Sequence, residues 1–286
     1  MSRVTIAALY RYPVKSTRGL ALHEATVRRT GIVGDRQWMI VDGSGYFVTQ
    51  RQKAELALIG VRETPAGVVL SCGEQTFPLE RERVVAAGDL RPVTVWKDQV
   101  TAYDCGDEAA AFLAATVGAN RGRPLRLVLV RELRTVSSKG RPAPQAEVAF
   151  ADDWPFLVTS EESLAELKER IEREHPGDGA AITMERFRPN IVLRGLPPFA
   201  EDDIDSFRTA SGLCFQLAKP CTRCVTTMTD PATAARGAEP LRTLRTFRQR
   251  TFPWGKGLMF GENAVLTDGD GRTLTVGDEV AVVYRA

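Results

Sequence analysis

The amino-acid sequence predicts a mainly β chain with a few helices, of the α+β class. Three observations lead there. Short apolar, β-branched or aromatic runs recur between turn signals along the chain. Helical patterning is confined to a few stretches, of which Ser160–Glu174 is the best marked. The elements also lack the regular strand–helix alternation that builds a parallel sheet.

Val4–Tyr10 opens the chain as a strand, and Trp38–Val41 is the next clear one. Asp42-Gly43-Ser44-Gly45 is a hairpin-type connection leading into Tyr46–Thr49. The Pro65–Gly67 turn leads into Val68–Ser71, and Asp98-Gln99 turns Val93–Trp96 back into Val100–Tyr103. Asp107–Val117 is alanine-rich with acids at its start, which predicts a short helix. Gly118–Pro124 collects breakers and basic residues and is read as a boundary between a domain over residues 1–120 and one over 121–286. Arg126–Val130 follows as a strand, and Ser137–Gln145, polar with two prolines, as an exposed loop. In the helix from Ser160 to Glu174, Thr159 and Glu162 fit a capping box, and Leu164, Leu167 and Ile171 recur at helical spacing. Glu166 precedes Arg170 by four, a favourable surface pair, and Pro176-Gly177 ends the helix. Ile191–Leu193, Cys214–Leu217, Val225–Met228, Ala264–Leu266 and Glu279–Tyr284 complete the predicted strands.

With 286 residues, 43% of them hydrophobic, the chain can bury a real core. Lysine plus arginine (38) nearly balances aspartate plus glutamate (36). The global charge therefore favours neither nucleic acid nor a membrane surface as partner, while leaving room for a local basic pocket. No signal peptide is evident, and no run of about 18 apolar residues suits a spanning helix, so a soluble, cytoplasmic protein is expected. Cys72, Cys105, Cys214, Cys221 and Cys224 form an odd, sparse set that reads as reduced thiols rather than a disulfide framework.

Four polar stretches interrupt the β pattern: Y-P-V-K-S with Lys15 and Ser16, G-I-V-G-D-R with Asp35 and Arg36, R-F-R-P-N over residues 186–190, and K-P-C-T-R-C over 219–224. Three of them set a cation beside a small polar group at a strand edge. Lysine supplies a point charge and arginine a planar fork of donors, so the set suits a bound oxyanion. Structural zinc needs four ligands, and here no second cysteine pair exists and His23 and His175 lie far apart. A thioredoxin-type pair sits at a helix N-terminus, whereas Val225–Thr229 favours a strand. Three readings stay open: a thiol–disulfide redox pair, ordinary half-buried thiols, or one thiolate on a metal carried by an anionic cofactor that brings the other ligands.

The ordered stretches Y-P-V-K-S (12–16), G-D-R-Q-W (34–38), R-F-R-P-N-I-V (186–192), K-P-C-T-R-C-V-T-T (219–227), T-D-P (229–231), E-P-L-R-T-L-R-T-F-R (239–248) and F-G-E-N (260–263) resemble the MOSC family with its N-terminal β-barrel domain. That group includes the mitochondrial amidoxime-reducing component and bacterial molybdoenzymes. The resemblance spans nearly the whole chain. It implies an N-terminal β-barrel-like domain packed on a MOSC β-barrel domain, and a molybdenum cofactor, a pterin dithiolene bearing a phosphate. It implies Cys224 as the metal's protein ligand, with Cys221 a neighbour. Lys15, Ser16 and Arg36 resemble residues that hold the pterin and phosphate. Arg188, Asn190, Thr222, Arg223 and Asn263 match further cofactor-contacting positions. Asp152 and Asp153, before Trp154-Pro155-Phe156, match a pocket-lining segment, although they also suit strand capping.

The implied activity is reduction of small N-hydroxylated or similar N-oxygenated compounds by oxygen-atom transfer. Its two electrons and two protons would come from a separate donor such as a ferredoxin or cytochrome b5-type protein. No nucleic acid or membrane partner is expected. The alternatives are a carrier of cofactor or sulfur, as in the C-terminal part of molybdenum-cofactor sulfurases, and a β-rich scaffold whose two cysteines form a thiol–disulfide switch. Departures from the family pattern are Thr17 after K-S, Ile204 in E-D-D-I, and A-T-A-A-R-G after T-D-P. The sequence is also expected to hold no iron–sulfur cluster, since it has no four clustered cysteines, and no hydrophobic N-terminal anchor.

Overall fold

The computed structural model describes residues 3–137, 145–252 and 255–285, so most of the expected Ser137–Gln145 loop, positions 138–144, lies outside the described residues. The chain is mainly β with a few helices, as its sequence pattern requires. Alternating positions face inward where one side of a strand is wet: in Glu24–Arg28, Ala25 and Val27 are buried between exposed neighbours. The apolar runs Trp38–Asp42 and Phe156–Ser160 are buried at every position.

The largest sheet runs Leu20–Leu22, Thr5–Arg11, Ile191–Arg194, Phe156–Ser160, Gly255–Asp268, Cys214–Arg223, Ile204–Thr209 and Val280–Tyr284, with Gln249–Phe252 also paired to Gly255–Asp268. All its pairs are antiparallel except Phe156–Ser160 with Ile191–Arg194, and the helix Glu161–Glu174 falls between these two in sequence. A parallel pair needs such a crossover. A second sheet orders Trp38–Asp42, Leu125–Val130, Asp98–Asp104 and Leu90–Val95, and beside it Gly60–Thr64, Gly67–Cys72 and Gln75–Glu80 form a meander. Leu125–Val130 lies beyond Gly118–Pro124 in sequence and pairs with Trp38–Asp42 and Asp98–Asp104.

Each sheet has its own core. Ile6, Leu9, Phe156, Phe207 and Phe215 belong to one, and Val14, Trp38, Phe47, Leu113 and Leu127 to the other. The stretch from Tyr12 to Thr17 steps between them. Val14 makes an isolated parallel bridge to Trp38, and Lys15 N–H donates to the Trp38 carbonyl at 2.8 Å. Among the described residues no helix is long and apolar enough to cross a membrane.

Four local expectations differ from the structure. Ser160, not Thr159, caps the helix Glu161–Glu174: its Oγ accepts from Ser163 N–H at 3.1 Å, and its extended backbone (φ −125°, ψ 154°) is the last step of the strand. Thr159 remains within that strand with its hydroxyl toward Met184 Sδ, and Glu162 accepts from Gly195 N–H instead of closing a capping box. The hairpin between Leu90–Val95 and Asp98–Asp104 turns at Trp96-Lys97, since Asp98 pairs with Val95. Tyr46 and Phe47 make only isolated bridges, because the Asp42 carboxylate gathers Ser44 N–H, Ser44 Oγ–H and Tyr46 N–H into a local turn. Val225–Met228 is a single 3₁₀ turn rather than a strand, because both the N–H and the hydroxyl of Thr227 bond back to the Cys224 carbonyl.

Ser160 also serves a second group: its hydroxyl and that of Ser163 both meet the buried carboxylate of Glu201, at 3.1 and 2.7 Å. Ser160→Ala therefore removes a cap and one donor to a buried acid. The expected loss is about 1–2 kcal/mol in urea unfolding, with Thr159→Ser costing less.

Candidate functional site

A cavity of about 640 Å³ opens between the two cores. All nine residues singled out from the sequence line it: Lys15, Ser16, Arg36, Arg188, Asn190, Thr222, Arg223, Cys224 and Asn263. They arrive from positions 15 to 263 and meet through the sheets. Cys221, Asp152 and Asp153 line it too, together with Arg51, Trp96 and Lys219, to which no role was given from the sequence.

Backbone geometry aims several of these groups at unusual cost. Seven non-glycine described residues have positive φ, and four of them line the cavity: Ser16 (70°), Arg36 (47°), Trp96 (59°) and Arg188 (57°). Left-handed backbone at non-glycine residues persists where surrounding contacts over-determine it, and it clusters at functional sites. The strand Cys214–Arg223 shifts register against Gly255–Asp268 between Leu217 and Lys219 and again between Pro220 and Thr222. Such bulges re-aim side chains next to binding sites, and these set the direction of the Lys219–Cys224 stretch.

Arg36 and Arg188 form one unit around Tyr12. Their guanidinium carbons lie 4.4 and 4.2 Å from the centre of the Tyr12 ring. Arg36 donates to Asp35 Oδ2 (2.5 Å), Asn190 Oδ1 (3.1 Å) and the Arg188 carbonyl (3.3 Å). Asp35 Oδ1 accepts from Tyr12 N–H at 2.8 Å, which closes the unit. The Asn190 amide also receives Leu157 N–H and donates to the Tyr10 carbonyl, so it acts as a brace for Arg36. Arg188 donates to the Thr17 carbonyl at 2.7 Å, and burial pulls its pKa down to about 10.

Lys15 is buried and donates to the Phe150 carbonyl and to Asp152 Oδ1, each at 2.6 Å. Burial lowers its pKa to about 8, with Asp152 opposing the shift. Asp152 is held well below the usual carboxylate range: desolvation acts to raise it, and Lys15 and Arg51 on either side overcome that. Lys219 pairs with Asp153. The aspartates thus serve as counter-charges in the cavity wall.

The two cysteines are unequal. Burial raises the Cys221 thiol, and the net shift stays upward although Arg223 Nη1 lies 2.8 Å from its sulfur. Burial also acts to raise Cys224, but the Arg51 charge and the hydroxyl and N–H of Thr226 outweigh it and the thiol is lowered. Arg51 Nε donates to the Cys224 sulfur at 3.3 Å, and its Nη2 donates to Asp152 Oδ2 at 3.2 Å. Thiolate character is what a metal-binding or reactive cysteine needs. Nothing near Arg51 in the sequence separates it from an ordinary surface arginine; only the fold brings it from position 51 to 224.

Six cations therefore share the cavity wall with two carboxylates. Four buried nitrogen donors along that wall have no partner among the described residues: Arg51 Nη1, Arg188 Nη2, Arg223 Nε and Trp154 Nε1. Donors in excess, with no matching acceptors, fit a ligand rich in acceptor oxygens and negative charge, such as a phosphate-bearing cofactor. Among the described residues no group of three or more His, Cys, Asp or Glu is placed to hold a metal ion. A metal at Cys224 would thus have to bring most of its ligands with it, which suits a dithiolene cofactor.

Two family models match most of the chain. Residues 3–120 match the MOSC N-terminal beta barrel domain, and residues 145–281 match the MOSC domain. The chain is 30% identical to mitochondrial amidoxime-reducing component 1 of Homo sapiens over 96% of its own length and 82% of that protein. The Mus musculus counterpart is 31% identical over 96% and 81%. Molybdenum cofactor sulfurase of Danio rerio is 28% identical over 89% of this chain, which spans 32% of that longer protein.

Two tests follow from the geometry. In cofactor-free protein, iodoacetamide is expected to label Cys224 before Cys221 as pH rises, and Arg51→Gln to move the Cys224 labelling profile to higher pH, read by mass spectrometry of the tryptic peptides. Tyr12→Phe is expected to leave stability within about 1 kcal/mol of wild type, because the Tyr12 hydroxyl is buried without a partner. Tyr12→Leu removes the aromatic face that both guanidinium groups share and is expected to weaken inorganic pyrophosphate binding about tenfold by titration calorimetry.

Proposed function

Because the chain belongs to the MOSC family, we propose that it binds a molybdenum cofactor and reduces small N-hydroxylated or related N-oxygenated compounds, with electrons from a partner outside this chain. The observation that carries this reading is the convergence of Cys224, its thiol pKa lowered by Arg51, with six cations and four unpartnered donors on one cavity. The substrate class is taken from the relatives named as amidoxime-reducing components.

The cofactor, when bound, supplies two-electron oxygen-atom transfer, and the chain supplies the setting for it. Lys15, Ser16, Arg36 and Arg188 hold the phosphate and pterin, with Asn190 and Tyr12 fixing the two arginines. Thr222, Arg223 and Asn263 line the side toward Cys224, whose sulfur is the protein's ligand to the metal. Arg51, donating to that sulfur, lowers its pKa and so favours its ionisation. The five cysteines are unpaired, in keeping with a reducing, cytoplasmic location. The donor is proposed to be a ferredoxin or cytochrome b5-type protein.

The similarity to molybdenum cofactor sulfurase supports a second reading, a carrier that presents cofactor or sulfur without turnover. Protein purified from a cofactor-competent host separates the two. Pterin and molybdenum near one per chain, with benzamidoxime reduction under a ferredoxin or cytochrome b5-type donor, supports the reductase. Bound cofactor with no turnover under any donor supports the carrier. Cys224→Ser is expected to leave a cooperative melt and to abolish reduction, while Cys221→Ser retains it. Wild-type rates in Cys224→Ser would overturn the ligand assignment.

A further inference from the structure

Trp96 occupies a position that packing alone does not explain. It is the first of two loop residues between Leu90–Val95 and Asp98–Asp104, with φ 59°. Glycine is the usual choice where the first residue of a two-residue hairpin loop takes positive φ. A bulky residue there is a genuine outlier and costs of order 1–3 kcal/mol. The indole does not recover this by burial, because Trp96 is 45% exposed. It lines the same cavity as Cys224. Two other aromatic residues on that wall, Trp154 and Phe187, are 4% and 0% exposed and offer almost no surface.

The ring is nonetheless held in place. Phe47 lies at 5.2 Å between ring centres, tilted by 58°, and the Arg51 guanidinium carbon sits 4.7 Å from the indole centre. Arg51 in turn reaches the Cys224 sulfur at 3.3 Å. The indole is thus separated by one side chain from the sulfur assigned to the metal. A strained, oriented and half-open aromatic plane at that distance suits stacking against a flat ligand group.

We propose that Trp96 is a specificity-determining residue, an aromatic platform that selects N-hydroxylated substrates whose N–OH group is conjugated to a planar ring over aliphatic ones. This rests on the reductase reading above. Stacking adds to binding only for the flat substrate, so the effect belongs in the ratio of kcat/KM values rather than in either value alone. Were Trp96 only a prop for Arg51, its loss would depress both substrates alike.

The test uses cofactor-loaded protein with benzamidoxime and acetamidoxime as the substrate pair. Trp96→Ala is expected to lower the benzamidoxime-to-acetamidoxime ratio of kcat/KM about tenfold, and Trp96→Phe to keep it within about threefold. An unchanged ratio in Trp96→Ala, or equal losses on both substrates, overturns the proposal. A readout independent of turnover uses 5-fluorotryptophan-labelled protein, with the Trp96 signal assigned through Trp96→Phe. Benzamidine is expected to shift that signal by its ring current, and acetamidine to leave it in place. A shift in protein that reduces neither amidoxime keeps the aromatic platform and removes the proposed reaction. Reduction of both by wild type with no shift keeps the reaction and removes the platform.

Discussion

Crowding six positive side chains into one cavity is the constraint on which the rest of the structure depends. Like charges brought out of water repel one another and lose hydration, so each needs compensation inside the fold. Four have a carboxylate: Lys15 and Arg51 share Asp152, Arg36 has Asp35, and Lys219 has Asp153. Arg188 and Arg223 form no ion pair among the described residues and lean on carbonyl oxygens, a sulfur and aromatic faces. These two also carry unpartnered nitrogens. The compensation is therefore partial by construction, and the shortfall is largest where an anionic ligand would make it good.

The same arrangement resolves a cysteine pair that is symmetric on paper. Two thiols three residues apart share a strand end, and both are partly buried. Their difference comes from neighbours supplied by distant sequence. Arg51 and the turn at Val225–Met228 surround Cys224, whereas Arg223 is divided between Cys221 and the Phe187 carbonyl. The turn itself follows from Thr227 bonding back to the Cys224 carbonyl, which ends the strand just where the sulfur must face the cavity.

Much of this was legible in the sequence, and the gaps have physical causes. The strands read clearly because burial of one face or both leaves alternation or apolar runs, as in Glu24–Arg28 and Phe156–Ser160. Eight of the nine site residues lie in the short polar stretches and Asn263 came from the family resemblance alone, and all nine line one cavity. What failed was decided by local detail that residue type does not show. Ser160 is only a somewhat better cap than Thr159 by composition, and the point at which the strand ends decides between them. Val225–Met228 has strand-like residues, but a threonine hydroxyl overrides that preference locally. Trp96 read as a strand residue because its propensity is for strands, whereas its backbone is that of a turn. Arg51 was invisible for another reason: its importance lies in a contact across 173 positions of sequence.

The four left-handed residues at the cavity bind these points together. Ser16, Arg36 and Trp96 come from the early part of the chain and Arg188 from the later part, so the strain is divided between segments attached to different cores. For Arg36 and Arg188 the contacts that fix this backbone region are mutual, whereas Trp96 is held within its own hairpin beside Phe47 and Arg51. Arg36 bonds the Arg188 carbonyl, Arg188 bonds the Thr17 carbonyl, and Tyr12 lies between the two guanidinium groups. The cavity is thus a product of the two cores docking, and its geometry is only as rigid as that docking. A ligand that neutralises Arg188 and Arg223 while spanning to Lys15 would couple the two cores through charge as well as packing, so binding and structural stiffness at this site are two sides of one free energy.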